Sequence, residues 1–215
     1  MVETGKASGS RKPRAGRMTG PERRAQIVDV VLRLVHEHGV QGTTTARIAR
    51  AAGVTEPTLY QYFGSRRDML LAALGLVFDR ATEAVESSHE GDVVERLRMI
   101  GEYHTRETKA KQLRFVDPMF EFIVAPQEEG LRDAVRAGNL TILDSLAAIV
   151  EEGKAQGRIR PDVDAKRVAW RVMGFYWFED VSSLMDLGEV VSEGVSKDMF
   201  DAILADITEV PPQED

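Results

Sequence analysis

One stretch constrains the fold more than any other: Thr43 to Leu70, TTTARIARAAGVTEPTLYQYFGSRRDML. Its spacing predicts two short helices joined by a tight turn, followed by the start of a third. Thr43 and Thr44 offer side-chain oxygens to cap the first helix. Ile48, Ala49 and Ala52 recur at helical spacing and should face a small core. Gly53 tolerates the left-handed backbone that ends a helix, and Val54 fills the turn. Thr55 is a second cap, and Pro57 falls in the first helical turn, where its missing N–H costs nothing. Leu59 and Phe63 then point inward, leaving Thr58, Tyr60, Gln61 and Tyr62 wholly or partly outside. Ser65 and Asp68 have the spacing of a capping box for the third helix, with Asp in place of Glu or Gln.

This is a helix-turn-helix, a unit whose second helix can lie in a DNA major groove. Its outer positions carry Thr, Tyr and Gln, side chains suited to phosphates and base edges, where a purely structural hairpin would more often show Glu and Lys. Residues Gly39 to Leu70 resemble the DNA-binding domain of the TetR family of bacterial transcriptional regulators. The resemblance is carried by Gly39, Thr43, Ile48, Ala49, Ala52, Gly53, Val54, Thr55, Leu59, Tyr60, Tyr62, Phe63, Ser65 and Leu70. It covers about the first third of the chain; the remainder is similar in length, helicity and layout.

The resemblance implies a DNA-facing set of Thr43, Thr44, Thr55, Glu56, Pro57, Thr58, Tyr60, Gln61, Tyr62 and Arg66. Thr43, Tyr62 and Arg66 stand where the family touches phosphate. Gln61 suits bidentate reading of adenine, and Thr58 suits a thymine methyl. Relatives often carry Lys-Gly where this chain has Glu56-Pro57. A carboxylate there is either repelled by phosphate or accepts from cytosine N4, so specificity departs from the usual pattern.

Charge is consistent with one DNA-facing end. The whole chain of 215 residues carries a net −7, but residues 1–70 hold 12 Lys/Arg against 6 Asp/Glu, and the rest hold 16 against 29. A basic head on an acidic body is the asymmetry expected when one end meets phosphate. Residues 1–18 are expected to be a disordered basic arm, either following DNA or simply solvated. No cysteine is present, no apolar run approaches a membrane span, and the N-terminus lacks the apolar segment of a signal peptide, so the expected compartment is the cytoplasm.

The remaining pattern is helical throughout. Thr19-Gly20-Pro21-Glu22 reads as a capping box opening helix 1, with Ile27, Val30, Val31, Leu34 and Val35 inward and Gly39 as its end. A long helix runs from Ser65 to about Ser87 with Met69, Ala72, Ala73, Leu76 and Val77 buried. After a polar break come helices near 93–109, 126–157, 165–187 and 195–208. The apolar run 112–124 is broken at Asp117-Pro118, as a kink or as a helix restarting there. The expected fold is all-α: a three-helix helix-turn-helix head over 19–66 and a bundle of five to six helices over 67–210 for ligand sensing and dimerisation.

In the body, the family resemblance implies an effector pocket. Its expected lining is Tyr103, His104, Phe115, Phe120, Asn139, Met173 and Trp177, with Thr141 and Glu179 as further polar candidates. Acidic residues near aromatics (Asp117, Glu121, Glu179, Asp180) would suit a lipophilic cation. The helix at 165–187 is apolar round most of its circumference and needs cover on more than one side, which suits, with the last helix, a dimer interface. His36 and His38 lie two apart on different helix faces and read as surface residues. Four His, no G-x-S-x-G and no H-E-x-x-H leave no catalytic signature, and no cofactor or metal is expected. The expected protein is a ligand-responsive repressor that binds a palindromic double-stranded operator as a homodimer and answers to a small hydrophobic effector. The alternative is a DNA-binding regulator without small-molecule input.

Overall fold

The computed structural model describes residues 18–86, 92–109, 116–126, 130–187 and 194–208. The basic arm, the break at 87–91, Phe115 and the C-terminal tail lie outside the described residues. Among the described residues every regular element is an α-helix: α1 (Gly20–Gly42), α2 (Thr45–Ala52), α3 (Glu56–Leu59), α4 (Arg66–Glu86), α5 (Val93–Lys109), α6 (Val116–Val124), α7 (Leu131–Ala155), α8 (Ala165–Leu184) and α9 (Val195–Thr208).

Local chemistry sets the helix starts. Thr19 and Glu22 form a reciprocal capping box, the Glu22 carboxylate accepting from Thr19 N at 2.7 Å. Thr44, Thr55 and Asp164 each accept backbone N–H groups at the starts of α2, α3 and α8. Ser65 Oγ accepts from Asp68 N at 3.1 Å as α4 begins, and Asp92 caps α5 through Val94 N at 2.8 Å. Pro118 lies in α6; residues 112–115, on which the choice between a kink and a new helix turns, lie outside the described residues.

The regular part of α1 stops at Gly39, as expected: its backbone is non-helical at φ +67°, ψ 172°, and a separate short turn then carries Val40 inward before Gly42. One expectation is corrected by packing. The buried stripe of α4 is rotated: Leu70 and Leu74 are buried while Ala72 and Leu76 are only partly so. The reason is that α4 is gripped on more than one side, packing chiefly on α7 and on α1. Gly138 makes the α4–α7 contact possible, since a Cβ there would stand 2.4 Å from the Phe78 ring.

In the body, α8 packs on α7, α5 and α9. Its opposite face (Trp170, Gly174, Trp177, Val181, Leu184) is exposed and mostly apolar, and Val195 and Met199 of α9 are exposed as well. No described helix is long and apolar enough to cross a membrane.

Candidate DNA-reading head and body cavity

The head presents its second and third helices as a corner. Gly53 adopts the left-handed conformation (φ +67°, ψ 34°), and its N–H returns to Ala49 and Arg50 carbonyls. The reading helix α3 is a single turn, prolonged by turn hydrogen bonds from Gln61 N to Thr58 O and from Phe63 N to Leu59 O. Leu59 and Phe63 anchor it in the core. Thr55, Glu56, Pro57, Tyr60 and Gln61 are exposed on its outer side, while Thr58 and Tyr62 are half-buried. The Thr58 hydroxyl pairs with that of Thr55 at 2.8 Å.

Three of the residues expected to meet DNA are engaged inside the head. Thr43 is fully buried, and its hydroxyl donates to Gly39 O at 2.8 Å. Its position after the extra turn of α1 faces it inward, so its side chain does not reach a phosphate. Thr44 is exposed, but its oxygen accepts from Arg47 N as the α2 cap. The Arg66 guanidinium donates to Thr43 O at 2.8 Å through Nε and to Val40 O through Nη2. These bonds tie the start of α4 to the α1–α2 corner. Sequence reasoning did not pick out Arg24, whose guanidinium lies 4.7 Å from the centre of the Phe63 ring and sets a cation at the end of the reading turn. No local pattern announces that pairing, because α1 and the turn meet only in the folded head.

The body holds a cavity of about 200 Å³ with walls from α4, α5, α6, α7 and α8. Of the expected lining residues, Tyr103, His104, Asn139, Met173 and Trp177 face it. Phe120 is half-buried but does not line the cavity, and Thr141 is exposed, its hydroxyl turned back to Ala137 O. The α4 wall (Val77, Phe78, Ala81, Val85) was not foreseen as lining, because α4 read only as a connector.

One end of the cavity is polar. His104 Nδ1 lies 2.8 Å from Glu179 Oε2, and Thr105 Oγ1 donates to Glu179 Oε1 at 2.7 Å. His104 Nε2 is 3.4 Å from Asp180 Oδ1, and its ring stacks on Tyr176 with centroids 4.2 Å apart. Glu179 and Asp180 are only 4% and 3% exposed. Burial raises the Asp180 carboxyl from an ordinary 3.8 to about 6; His104 pulls it down and Glu179 pushes it further up. Burial likewise raises the Tyr176 hydroxyl, with Glu179 adding to the shift. Among the described residues no group of three or more His, Asp or Glu side chains is arranged to hold a metal ion.

A capped three-helix corner with a polar outer face, carried on a hollow all-helical body, is the build of a helix-turn-helix DNA-binding regulator. Residues 27–73 match the family model of bacterial regulatory proteins of the tetR family, and residues 119–178 match that of the tetracyclin repressor-like C-terminal domain. The chain belongs to the TetR family of transcriptional regulators.

Its relatives are distant. It is 40% identical over 63 residues to the nucleoid occlusion factor SlmA of Haemophilus influenzae, covering 29% of each chain. The chain thus spans about a third of the length of the first curated relatives it matches. Among solved structures it is similar to the transcriptional regulator FadR of Bacillus subtilis in complex with stearoyl-CoA, with a TM-score of 0.67 at 20% identity over 85% of this chain and 98% of that one. It is also similar to AibR in complex with isovaleryl coenzyme A and operator DNA, with a TM-score of 0.58 at 21% identity over 87% and 98%. At these identities the likeness is one of fold.

Proposed function

We propose that this regulator is a ligand-responsive repressor that binds a palindromic operator as a homodimer. Residues 19–66 read the DNA; residues 67–210 sense the ligand and dimerise. The observation that carries the reading is that one helix serves both ends. Helix α4 begins at Arg66, held by hydrogen bonds to Val40 and Thr43 in the head, and lines the cavity from Val77 onward. From Arg66 to Ala81 is about 22 Å at 1.5 Å per residue. A ligand that shifts the α4 wall therefore tilts the reading turn. Helix α6 offers a second link: Met119 lines the cavity, and the Glu121 carboxylate lies against Gly39 of α1.

The DNA-facing residues are Thr55, Glu56, Pro57, Tyr60 and Gln61, with Thr58 and Tyr62 at the edge of the face and Arg24 added. Gln61 is the reader of a base, and Tyr60 with Arg24 meets the backbone. The exposed apolar face of α8, with Val195 and Met199 of α9, supports a two-fold interface, which a single short reading helix requires in order to span two half-sites. An effector that changes DNA affinity by about 1–3 kcal/mol acts as a switch. The structural neighbours bound to acyl-coenzyme A ligands and operator DNA support ligand response in this fold. The cavity favours this reading over a regulator with no small-molecule input.

The test is an equilibrium titration on DNA flanking the protein's own gene, with scrambled DNA alongside and a salt series. The expected result is strong preference for the flanking DNA, a steep salt slope and two protomers per site. One protomer per site would sink the dimeric reading. A ligand that binds the cavity tightly and leaves DNA affinity unchanged would sink the sensing.

A further inference from the structure

The chemistry of the cavity's polar end selects among ligands. Two groups there make no hydrogen bond among the described residues: the Tyr176 hydroxyl, and Asp180 Oδ1, which has only the longer ion-pair contact with His104 Nε2 at 3.4 Å. Both side chains are more than nine-tenths buried, and both line the cavity. They lie four residues apart on α8, so they share one face of that helix. A buried polar atom without a hydrogen bond is destabilising, and a ligand that donates one recovers that loss. Glu179 next door is already satisfied, both of its oxygens being taken by His104 and Thr105.

Charge decides what kind of partner is wanted. Two carboxyl groups, Asp180 and Glu179, face the single imidazole of His104, so acids outnumber bases at this end. Arg80 of α4 is the other charged lining residue. It is half exposed and reaches outward toward Asp29, 3.9 Å away. Beyond this end the walls are apolar (Val77, Phe78, Ile100, Ile142), and Tyr103 and Trp177 add aromatic surface that attracts cations.

We propose that the effector is a small organic cation, an alkyl- or arylammonium, whose N–H groups are received by Asp180 Oδ1 and the Tyr176 hydroxyl while its apolar body fills the cavity. This rests on the reading of the cavity as the sensing site. A carboxylate or phosphate head in the same place would meet two buried acids. A bound cation also favours the ionised form of Asp180, which burial alone disfavours.

Octylammonium, 1-octanol and octanoate isolate the head group at constant chain length. Each is titrated into the full-length protein at pH 7.5, followed by calorimetry and by tryptophan fluorescence, Trp177 standing in the cavity wall. Octylammonium should bind at least about ten-fold more tightly than octanol, with octanoate weaker still, since hydrogen bonds to charged groups carry the difference. Asp180→Asn should remove at least about ten-fold of the octylammonium affinity and leave octanol unchanged. Tyr176→Phe, which deletes only an unpartnered hydroxyl, should fold normally and weaken octylammonium a few-fold. Equal or tighter binding of octanoate or octanol, no binding of any probe, or octylammonium affinity indifferent to Asp180→Asn overturns the proposal. DNA affinity read in parallel separates the two levels. Octylammonium that binds with these preferences without releasing DNA upholds the cation site and ends the sensor reading; octanoate or octanol that binds preferentially and releases DNA does the reverse.

Discussion

Replacing Arg66 with Met tests the internal role of that residue most directly. Methionine keeps the length of the side chain and removes the charge and the hydrogen bonds to Thr43 O at 2.8 Å and to Val40 O. A hydrogen bond from a charged donor contributes roughly 1.5–3 kcal/mol when buried, and water replaces part of it at a half-buried site. For two such bonds the expected loss is about 2–3 kcal/mol. In a chain of this size 1 kcal/mol moves the midpoint by roughly 2–4 °C, so thermal unfolding followed by circular dichroism should drop by about 4–12 °C. A phosphate contact has a different signature: its loss lowers the slope of log K against log salt by about one per protomer and leaves stability alone. With Arg66→Met, titrations on a non-specific duplex well below the unfolding midpoint should show the wild-type slope. An unchanged midpoint together with a slope reduced by one would refute the assignment of Arg66 as a clamp between α4 and the head.

Other perturbations probe the remaining elements. Gly39→Ala forces a Cβ into a backbone region that only glycine readily occupies, and within 2.7 Å of the Glu121 carboxylate; chemical denaturation should show a loss of roughly 1–3 kcal/mol, and an unchanged midpoint would refute the strain. Asp180 binds its proton more readily in the folded protein than in the unfolded chain, so its contribution to stability falls as pH rises from about 4 to about 6 and stays low above that. Asp180→Asn should therefore raise the unfolding midpoint at pH 7.5, by an amount on the order of 2–3 kcal/mol, and lose most of that gain near pH 4; a gain independent of pH would count against the buried carboxylate as its source. Gln61→Ala should relax preference at one base position per half-site in a binding-site selection, whereas intact specificity would remove it as a reader.

The starts of the helices were legible in the sequence because they are settled within a few residues. Thr19 with Glu22, Thr44, Thr55, Ser65 and Asp164 cap the helices that their spacing announces, and Gly53 makes the corner its backbone allows. The inward face of α1 followed equally from periodicity: Ile27, Val30, Val31, Leu34 and Val35 are all buried. The exposure of Tyr60 and Gln61 follows from the anchoring of Leu59 and Phe63, one turn apart. The hollow of the body was readable in part, since His104, Asn139, Met173 and Trp177 each break or thicken an apolar helical pattern.

Direction across elements was decided only by the tertiary structure. Whether Thr43 and Arg66 face phosphate or each other depends on how α4, more than twenty residues on, meets the α1–α2 corner. The turn of α4 about its axis is set by α1 and α7 gripping it together, which moved its buried stripe to Leu70 and Leu74 and put its later turns into the cavity wall. Asp180 carries no local mark that separates it from any other acid on a helix. Its burial and its ion pair with His104 arise because α5 and α8 pack at that level, bringing together side chains 76 positions apart in the chain. Sequence periodicity fixes which face of a helix is apolar; which partner that face meets, and which polar atoms are trapped where they meet, is a property of the packed assembly alone.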